Sequence, residues 1–158
     1  MGDSMISRYN MTTRYEELRL DSEKKQGEIA EFLSVKRNTY SKWENCINDM
    51  PLEKSNELAN YYVTSLDYLL GLSHKRNHIT ERNTIDFKIL AKRLYELRKE
   101  VEITQEELSE KLGFPQHTYA HYECGDRFPT TLKLLVVATY YNVSVDYLTG
   151  RSDDKEIK

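Results

Sequence analysis

The chain has 158 residues, of which 31% are charged and 39% hydrophobic, and its formal net charge at pH 7 is −3. No apolar run approaches the ~20 residues that span a bilayer, and the first residues lack the basic-then-apolar pattern of a secretory signal. Cys46 and Cys124 form no CxxC pair, which favours reduced thiols over a disulfide framework. We therefore expect a cytoplasmic protein without a membrane partner.

The sequence repeats itself at an offset of 79 residues. About 21 of the 58 positions from Arg14 to Gly71 carry the same residue as the position 79 further along, which is far above chance. Such self-similarity indicates two copies of one structural unit. A unit of roughly 60 residues folds alone only marginally. The clearest matches are Gln26–Leu33 with Gln105–Leu112 and Ser65–Gly71 with Ser144–Gly150.

Helix signals recur along both copies, whereas the alternation typical of strands does not. Thr13 and Glu16 have the spacing of a capping box, which predicts that a first helix begins there. In the second copy, apolar residues at steps of three and four predict a long amphipathic first helix. We predict an all-α fold with five helices in each copy. The later spans are Gln26–Leu33, Arg37–Asn45, a helix after Pro51 and one closed by Gly71, then Gln105–Leu112, Gln116–Cys124, a helix after Pro129 and one closed by Gly150.

Residues at the predicted helix ends support these spans. Ser65 and Ser144 are suitable N-caps for the fifth helix of each copy. Asn142 suits the left-handed conformation that a helix C-terminus requires, whereas its counterpart Val63 does not.

Both copies contain, in order, Leu-Arg, Gln-x-Glu, Thr-Tyr, a Glu and Ser-x-Asp-Tyr-Leu-x-Gly. This order resembles the Cro/phage-repressor helix-turn-helix family of the xenobiotic response element type, and Ile103–Gly113 is especially similar to the family pattern. The resemblance covers nearly the whole chain and implies two tandem five-helix domains, at residues 14–73 and 85–151. Residues 1–13 are then an N-terminal extension, residues 74–84 a basic polar linker and residues 152–158 a polar tail.

The resemblance also assigns roles to residues that both copies share. The family places an ion pair between the first helix and the end of the third, so we expect two structural ion pairs. Gln26 and Gln105 occupy the position at which the family binds a DNA phosphate; a first-turn residue without a ligand is the simpler alternative. The ion pairs are Arg19 with Glu44 and Arg98 with Glu123.

By the same resemblance, the third helix of each copy enters the major groove of DNA. Arg suits guanine, Asn and Gln suit adenine, and a Thr hydroxyl suits a phosphate; a solvated face is the alternative for each residue. The second copy has no Lys or Arg on this face, and Pro115 stands where the family prefers a Ser or Thr cap, as does Lys36 in the first copy. The predicted contacts are Arg37, Asn38, Thr39 and Lys42 in the first copy and Gln116, His117, Thr118 and His121 in the second.

His117, His121 and Cys124 have a spacing that places three metal ligands on one helix face. The same positions face DNA in the family, and the neighbouring Glu123 is committed to Arg98, so we predict no metal site. The sequence has no Gly-rich phosphate loop and no nucleophile–base pair. We therefore expect no catalytic residues, no cofactor and no enzyme activity.

The fourth helix of the second copy carries Leu134, Leu135 and Val136, where the first copy has polar residues. One apolar stripe is enough to pack a helix on its own core, so the surplus predicts a further cover. We expect that cover to be a second chain in a homodimer; packing of the two copies on each other is the alternative.

Together these features predict a sequence-specific double-stranded DNA-binding transcriptional regulator that acts as a repressor. Two alternatives remain open. One is a protein–protein interaction module, such as an antitoxin-like binder of a protein partner. The other divides the labour, so that the first copy reads DNA and the second dimerises.

Overall fold

A computed structural model describes residues 12–158; residues 1–11 of the expected N-terminal extension lie outside this part of the chain. The described residues form helices and loops without a strand. They divide into two compact units. The first comprises residues 12–79 with Thr130–Leu132 and Lys158, and the second comprises Thr80–Pro129 with Lys133–Ile157. The division between Ile79 and Thr80 lies inside the segment that the sequence marks as a linker.

Ten helices occur in the described residues, five on each side of that division. Those before it are α1 (Tyr15–Asp21), α2 (Gln26–Phe32), α3 (Arg37–Glu44), α4 (Leu52–Tyr61) and α5 (Leu66–Leu69). Those after it are α6 (Phe87–Glu100), α7 (Gln105–Leu112), α8 (Thr118–Cys124), α9 (Thr131–Tyr141) and α10 (Val145–Leu148).

Equivalent apolar side chains form the interior of each unit. Leu18 of α1, Leu33 at the end of α2 and Tyr40 of α3 have no exposed surface. Burial of each such side chain stabilises the fold by about 2 kcal/mol, which fixes the second and third helices against the first. Their counterparts Leu97, Leu112 and Tyr119 are also buried.

Left-handed backbone conformations recur at the offset of 79 residues. Residues other than glycine seldom adopt a positive φ, so such pairs indicate that the two segments follow similar backbone paths. His117, with φ 66°, has no left-handed counterpart among the described residues. The pairs are Glu23 with Glu102, Ser34 with Gly113, Cys46 with Gly125, Val63 with Asn142, and Gly71 with Gly150.

Val63 adopts the same left-handed backbone conformation as Asn142, although its residue type does not suit that geometry. Val63 has φ 52° and Asn142 has φ 53°. The backbone amide after Val63 donates to the carbonyl of Ala59, and the amide after Asn142 donates to that of Ala138, at 2.9 and 3.0 Å. These bonds require the same helix ending in both units, so the hydrogen bonding of the helix end overrides the steric preference of a β-branched residue.

The helix caps agree with the sequence at the fifth helices and differ at the first. The Ser65 and Ser144 hydroxyls accept from the amides of Tyr68 and Tyr147 at 3.0 and 3.1 Å, as predicted. The predicted capping box at Thr13 is wrong, because α1 begins at Tyr15 and its N-cap makes no side-chain hydrogen bond. Instead, the Thr13 hydroxyl lies 3.8 Å from the Cys46 sulfur.

An arginine joins the first helix to the end of each unit. The Nη1 atom of Arg14 donates to the carbonyls of Tyr68 and Ser73, the latter at 2.9 Å. Its guanidinium also lies 4.1 Å from the centre of the Tyr68 ring. These contacts hold the residues after α5 against α1. In the second unit Arg93 makes the same contacts with Tyr147 and Ser152.

The three apolar side chains expected to form a dimer surface are not exposed. Leu134, Leu135 and Val136 have exposed fractions of 0%, 1% and 0% in the single chain. A helix that is apolar on all sides is typically buried, and α9 follows that rule. The premise that these residues require a second chain is therefore wrong.

Candidate nucleic-acid interface

A buried ion pair links α1 to the end of α3 in the first unit. Arg19 donates from Nε to one carboxylate oxygen of Glu44 at 2.8 Å and from Nη2 to the other at 2.9 Å. The Glu44 side chain is only 2% exposed. The Nη1 atom of Arg19 also donates to the carbonyl of Lys24, at 2.9 Å. This pair therefore orients the third helix and the loop that precedes the second.

The second unit contains the corresponding pair. Arg98 contacts the two carboxylate oxygens of Glu123 at 2.5 and 3.0 Å, and its Nη1 atom donates to the carbonyl of Ile103 at 2.8 Å. Both side chains are largely buried. Because a bidentate Arg–carboxylate contact fixes two directions at once, the same geometry in both units indicates a structural role.

Gln26 and Gln105, the predicted phosphate contacts, are engaged within the protein. The side-chain amide of Gln26 donates to Glu44 at 3.2 Å, and that of Gln105 donates to Glu123 at 2.8 Å. Sequence reasoning missed this contact. The available signal was the repeated spacing of 18 residues between a Gln and a Glu. An amide carries two N–H donors, so phosphate contact by the second one stays a prediction.

Hydrogen bonding keeps the Glu44 carboxylate charged despite its burial. Burial alone raises the pKa of this carboxyl, but the hydrogen bonds from Arg19 and Gln26 help to lower the pKa below its ordinary value. The ionised form is therefore the one that the folded protein stabilises.

The third helix of the first unit turns its polar side outward. Tyr40 is buried in the interior, whereas Arg37 and Asn38 are exposed and Thr39 and Lys42 are half-buried. Within residues 12–158, no carboxylate pairs with Arg37 or Lys42. The structure thus places the four contact residues predicted for the third helix of this unit on a single helix, with two cations that no carboxylate of the described residues pairs with.

The second unit differs at the start of the equivalent helix. The predicted span began at Gln116, but α8 begins at Thr118. The amide of Thr118 donates to the carbonyl of Pro115 at 3.2 Å, and His117 adopts φ 66°. This turn replaces the first helical residues, so the exposed Gln116 and His117 precede the helix, while Thr118 and His121 lie on it.

His121 has a partner that the sequence reading did not identify. Its Nδ1 atom lies 3.0 Å from both carboxylate oxygens of Asp126. The contact fastens the side chain to the loop after α8. In the first unit, Lys42 occupies the equivalent position and Ile47 stands where Asp126 does. His121 and Asp126 are five residues apart, with Gly125 between them. This spacing does not match the i, i+3 or i, i+4 pairs of a helix, so the sequence did not indicate the contact.

The residues considered for metal binding do not assemble. In the part of the chain that the structure describes, no group of three or more His, Cys, Asp or Glu side chains is placed to hold a metal ion. Cys46 and Cys124 are free thiols. No helix between residues 12 and 158 has the length and apolar character needed to cross a membrane.

Comparison with known proteins agrees with this geometry. Residues 91–150 match the helix-turn-helix domain family. The chain is 42% identical over 66 residues to the uncharacterized HTH-type transcriptional regulator YobD of Bacillus subtilis (strain 168), covering 42% of this chain and 59% of that protein. It is also 42% identical over 64 residues to the HTH-type transcriptional regulator ImmR of the same organism, covering 40% of this chain and 50% of ImmR.

A phage protein is a further relative. The cryptic phage CTXphi transcriptional repressor RstR of Vibrio cholerae serotype O1 (strain ATCC 39315 / El Tor Inaba N16961) is 32% identical over 62 residues, which are 39% of this chain and 55% of RstR. The chain thus spans about half the length of the curated relatives it matches. No solved structure matches it significantly.

Proposed function

We propose that this protein is a sequence-specific double-stranded DNA-binding regulator of transcription and that it acts as a repressor. The observation that carries the proposal is the outward side of α3, where Arg37 and Lys42 have no carboxylate partner among the described residues and the Arg19–Glu44 pair fixes the helix. A helix with unpaired cations and amides at its surface has the chemistry of a major-groove reader. The helix-turn-helix match, which covers residues 91–150 of the second unit, and the names of the relatives support a DNA-binding regulator of transcription.

The architecture we propose is a tandem pair of helix-turn-helix domains of the phage-repressor type, at residues 14–73 and 85–151. The supporting observations are the ion pairs, arginine contacts and left-handed positions that recur at one offset. Each of these features depends on several residues at once. A common ancestral unit accounts for their joint recurrence more simply than coincidence does.

Repression would be steric under this proposal. Arg37 and Asn38 would contact base edges, while Thr39 and Lys42 would contact phosphates and set the register of the protein on the duplex. A protein held on an operator in this way excludes polymerase from the same site. We propose that such a regulator acts in the cytoplasm. We propose no catalytic residue and no cofactor.

Selection of bound duplexes from a random pool tests this function. The full chain should enrich a defined sequence, and a duplex of that sequence should bind at least ~10³-fold more tightly than a scrambled one at the same salt concentration. Recovery of duplexes with no common sequence, by a chain shown to be folded, would contradict sequence-specific binding.

A protein-binding role is the second candidate, and a groove in the second unit favours it. The groove has a volume of about 690 Å³, and its lining includes Phe87, Tyr95 and Phe128, with Lys88 and Lys92 also contributing. The Phe87 and Phe128 rings lie 4.3 Å apart and Phe128 is 37% exposed. Exposed aromatic surface with cations beside it suits an apolar segment flanked by carboxylates. DNA binding that occurs only with such a partner present would favour this role.

A homodimer stays a prediction, but it no longer rests on the apolar residues of α9. Because Leu135 is 1% exposed, its replacement by alanine should lower the free energy of unfolding by about 2–5 kcal/mol. Sedimentation of the wild-type chain tests the dimer itself. If Leu135→Ala changed the sedimentation of the chain but not its free energy of unfolding, Leu135 would instead lie in an interface between chains.

A further inference from the structure

The two helix-turn-helix segments carry opposite charge balances. From Lys24 to Cys46 there are five Lys or Arg residues and three Glu, whereas the equivalent positions from Ile103 to Gly125 hold one Lys and four Glu. Electrostatic attraction to phosphates supplies most of the non-specific affinity of DNA-binding proteins. The first segment is therefore suited to a duplex and the second is not.

No cation of the first segment has a Lys or Arg at the equivalent position of the second. Four of the five cations flank the starts of α2 and α3, where a chain approaching a duplex would meet its phosphates. Their loss removes charge from the same places in the second unit. The exchanges are Lys24 to Ile103, Lys25 to Thr104, Lys36 to Pro115, Arg37 to Gln116 and Lys42 to His121.

The carboxylates of the second segment lie beside its predicted readers. Glu106 lines one small cleft with Gln105 and His117, and it lines a second cleft with Glu110 and Gln116. Both carboxylate residues are exposed. Phosphates approaching these clefts would meet like charge without a nearby Lys or Arg in the cleft lining to offset it.

The shape of the second segment reinforces its charge. The left-handed turn at His117 delays the start of α8 by two residues relative to its predicted span. His121 is held by Asp126, which adds a further carboxylate next to α8. Three of the four contact residues predicted for the third helix of this unit are therefore displaced from the helix or engaged by an acid.

We infer that the helix-turn-helix face of the first unit alone engages DNA, so that one chain occupies one half-site, with Lys24, Lys25 and Lys36 as further phosphate contacts. This inference rests on the proposed function. The second unit keeps the helix-turn-helix backbone while its surface excludes the duplex.

The test exchanges residues of the first unit for their own counterparts in the full-length chain. Arg37→Gln with Lys42→His is compared with a triple variant of the second unit that carries Gln116→Ala, His117→Ala and His121→Ala. All positions are surface-accessible, so circular dichroism and a melting curve are sufficient to check that each variant is folded. Binding to a fluorescein-labelled duplex, selected by the wild-type chain, is measured by anisotropy at one fixed pH and salt concentration.

The first variant should bind roughly tenfold or more weakly, because a base-contacting Arg and a phosphate-contacting Lys are both lost. The slope of the logarithm of affinity against the logarithm of salt concentration should also fall by about 0.9 for each phosphate contact removed. The second variant should change affinity less than about twofold.

Similar losses in both variants, or a larger loss in the second-unit variant, would overturn the inference while leaving DNA binding intact. A wild-type chain that prefers no duplex over any other would instead contradict the proposed function. Lys24→Ala and Lys25→Ala provide an independent measurement. Each should reduce the salt slope, and an unchanged slope in both would remove them from the interface.

Discussion

The side-chain amide of Gln26 and the carboxylate of Glu44 are joined by a hydrogen bond of 3.2 Å. The oxygen that accepts it also accepts from Nη2 of Arg19, at 2.9 Å. The carboxylate of Glu44, the last residue of α3, thus contacts the first residue of α2 and an arginine side chain of α1. The orientation of the proposed reading helix depends on this shared atom.

Replacement of Gln26 by alanine should lower the free energy of unfolding by about 1 kcal/mol, because the buried carboxylate loses one donor. Urea denaturation measures the change. Gln116→Ala is the control, since that side chain is exposed and surface substitutions alter stability by less than about 0.5 kcal/mol. If Gln26→Ala weakened DNA binding and left stability unchanged, Gln26 would be a phosphate contact only.

Replacement of Arg19 by alanine should cost more, about 3 kcal/mol, because Glu44 would remain buried and lose both of its guanidinium contacts. Arg76→Ala is a suitable comparison. Arg76 pairs with Asp21 at 3.0 Å, but both side chains are about half exposed, so its loss should cost less than about 1 kcal/mol. Equal melting curves for the two variants would show that burial does not strengthen the role of Arg19.

Acid should destabilise the first unit through Glu44. Because the folded protein lowers the pKa of this carboxyl, its contribution is complete above the unfolded-state value of about 4.3 and is lost as pH falls through the folded-state pKa. Glu44→Gln should therefore be less stable than wild type at neutral pH, with a shallower loss of stability in acid. Parallel curves of unfolding free energy against pH for the two proteins would contradict this.

Val63 should be a site where substitution stabilises the protein. Its left-handed backbone, φ 52°, costs a β-branched residue about 1 kcal/mol, and the side chain is 72% exposed, so little packing is lost by changing it. Val63→Asn should raise the melting temperature, and the reciprocal Asn142→Val should lower it. A melting temperature that falls for Val63→Asn would mean that the valine side chain makes a contribution larger than the backbone strain.

The repeat explains why much of the fold was predictable. Both copies retain an Arg and a Glu that contact each other within their own unit. The pairs are Arg19 with Glu44 and Arg98 with Glu123. Periodicity and caps located most helices within a few residues. The predicted cap at Thr13 was wrong because local spacing does not register a contact with Cys46, 33 positions away.

The site was less predictable than the fold because its departures depend on backbone geometry and on non-helical spacing. Nothing in the residue type of His117 specifies a left-handed φ, and the distance in sequence between His121 and Asp126 matches no helical period. The apolar residues of α9 misled for a related reason. The sequence indicates that an apolar residue such as Leu135 must be buried against something. Only the three-dimensional fold shows that the single chain already buries it.

The most direct measurement of the central claim is anisotropy of the wild-type chain and Arg37→Ala on the selected duplex and on a scrambled duplex at one salt concentration. Lys54→Ala is the matched control, since Lys54 is a cation of α4 that already pairs with Glu57 at 3.1 Å. The wild type and Lys54→Ala should discriminate between the duplexes, and Arg37→Ala should lose about 1–3 kcal/mol of that discrimination. Equal affinity of the wild-type chain for the two duplexes would contradict sequence-specific DNA binding.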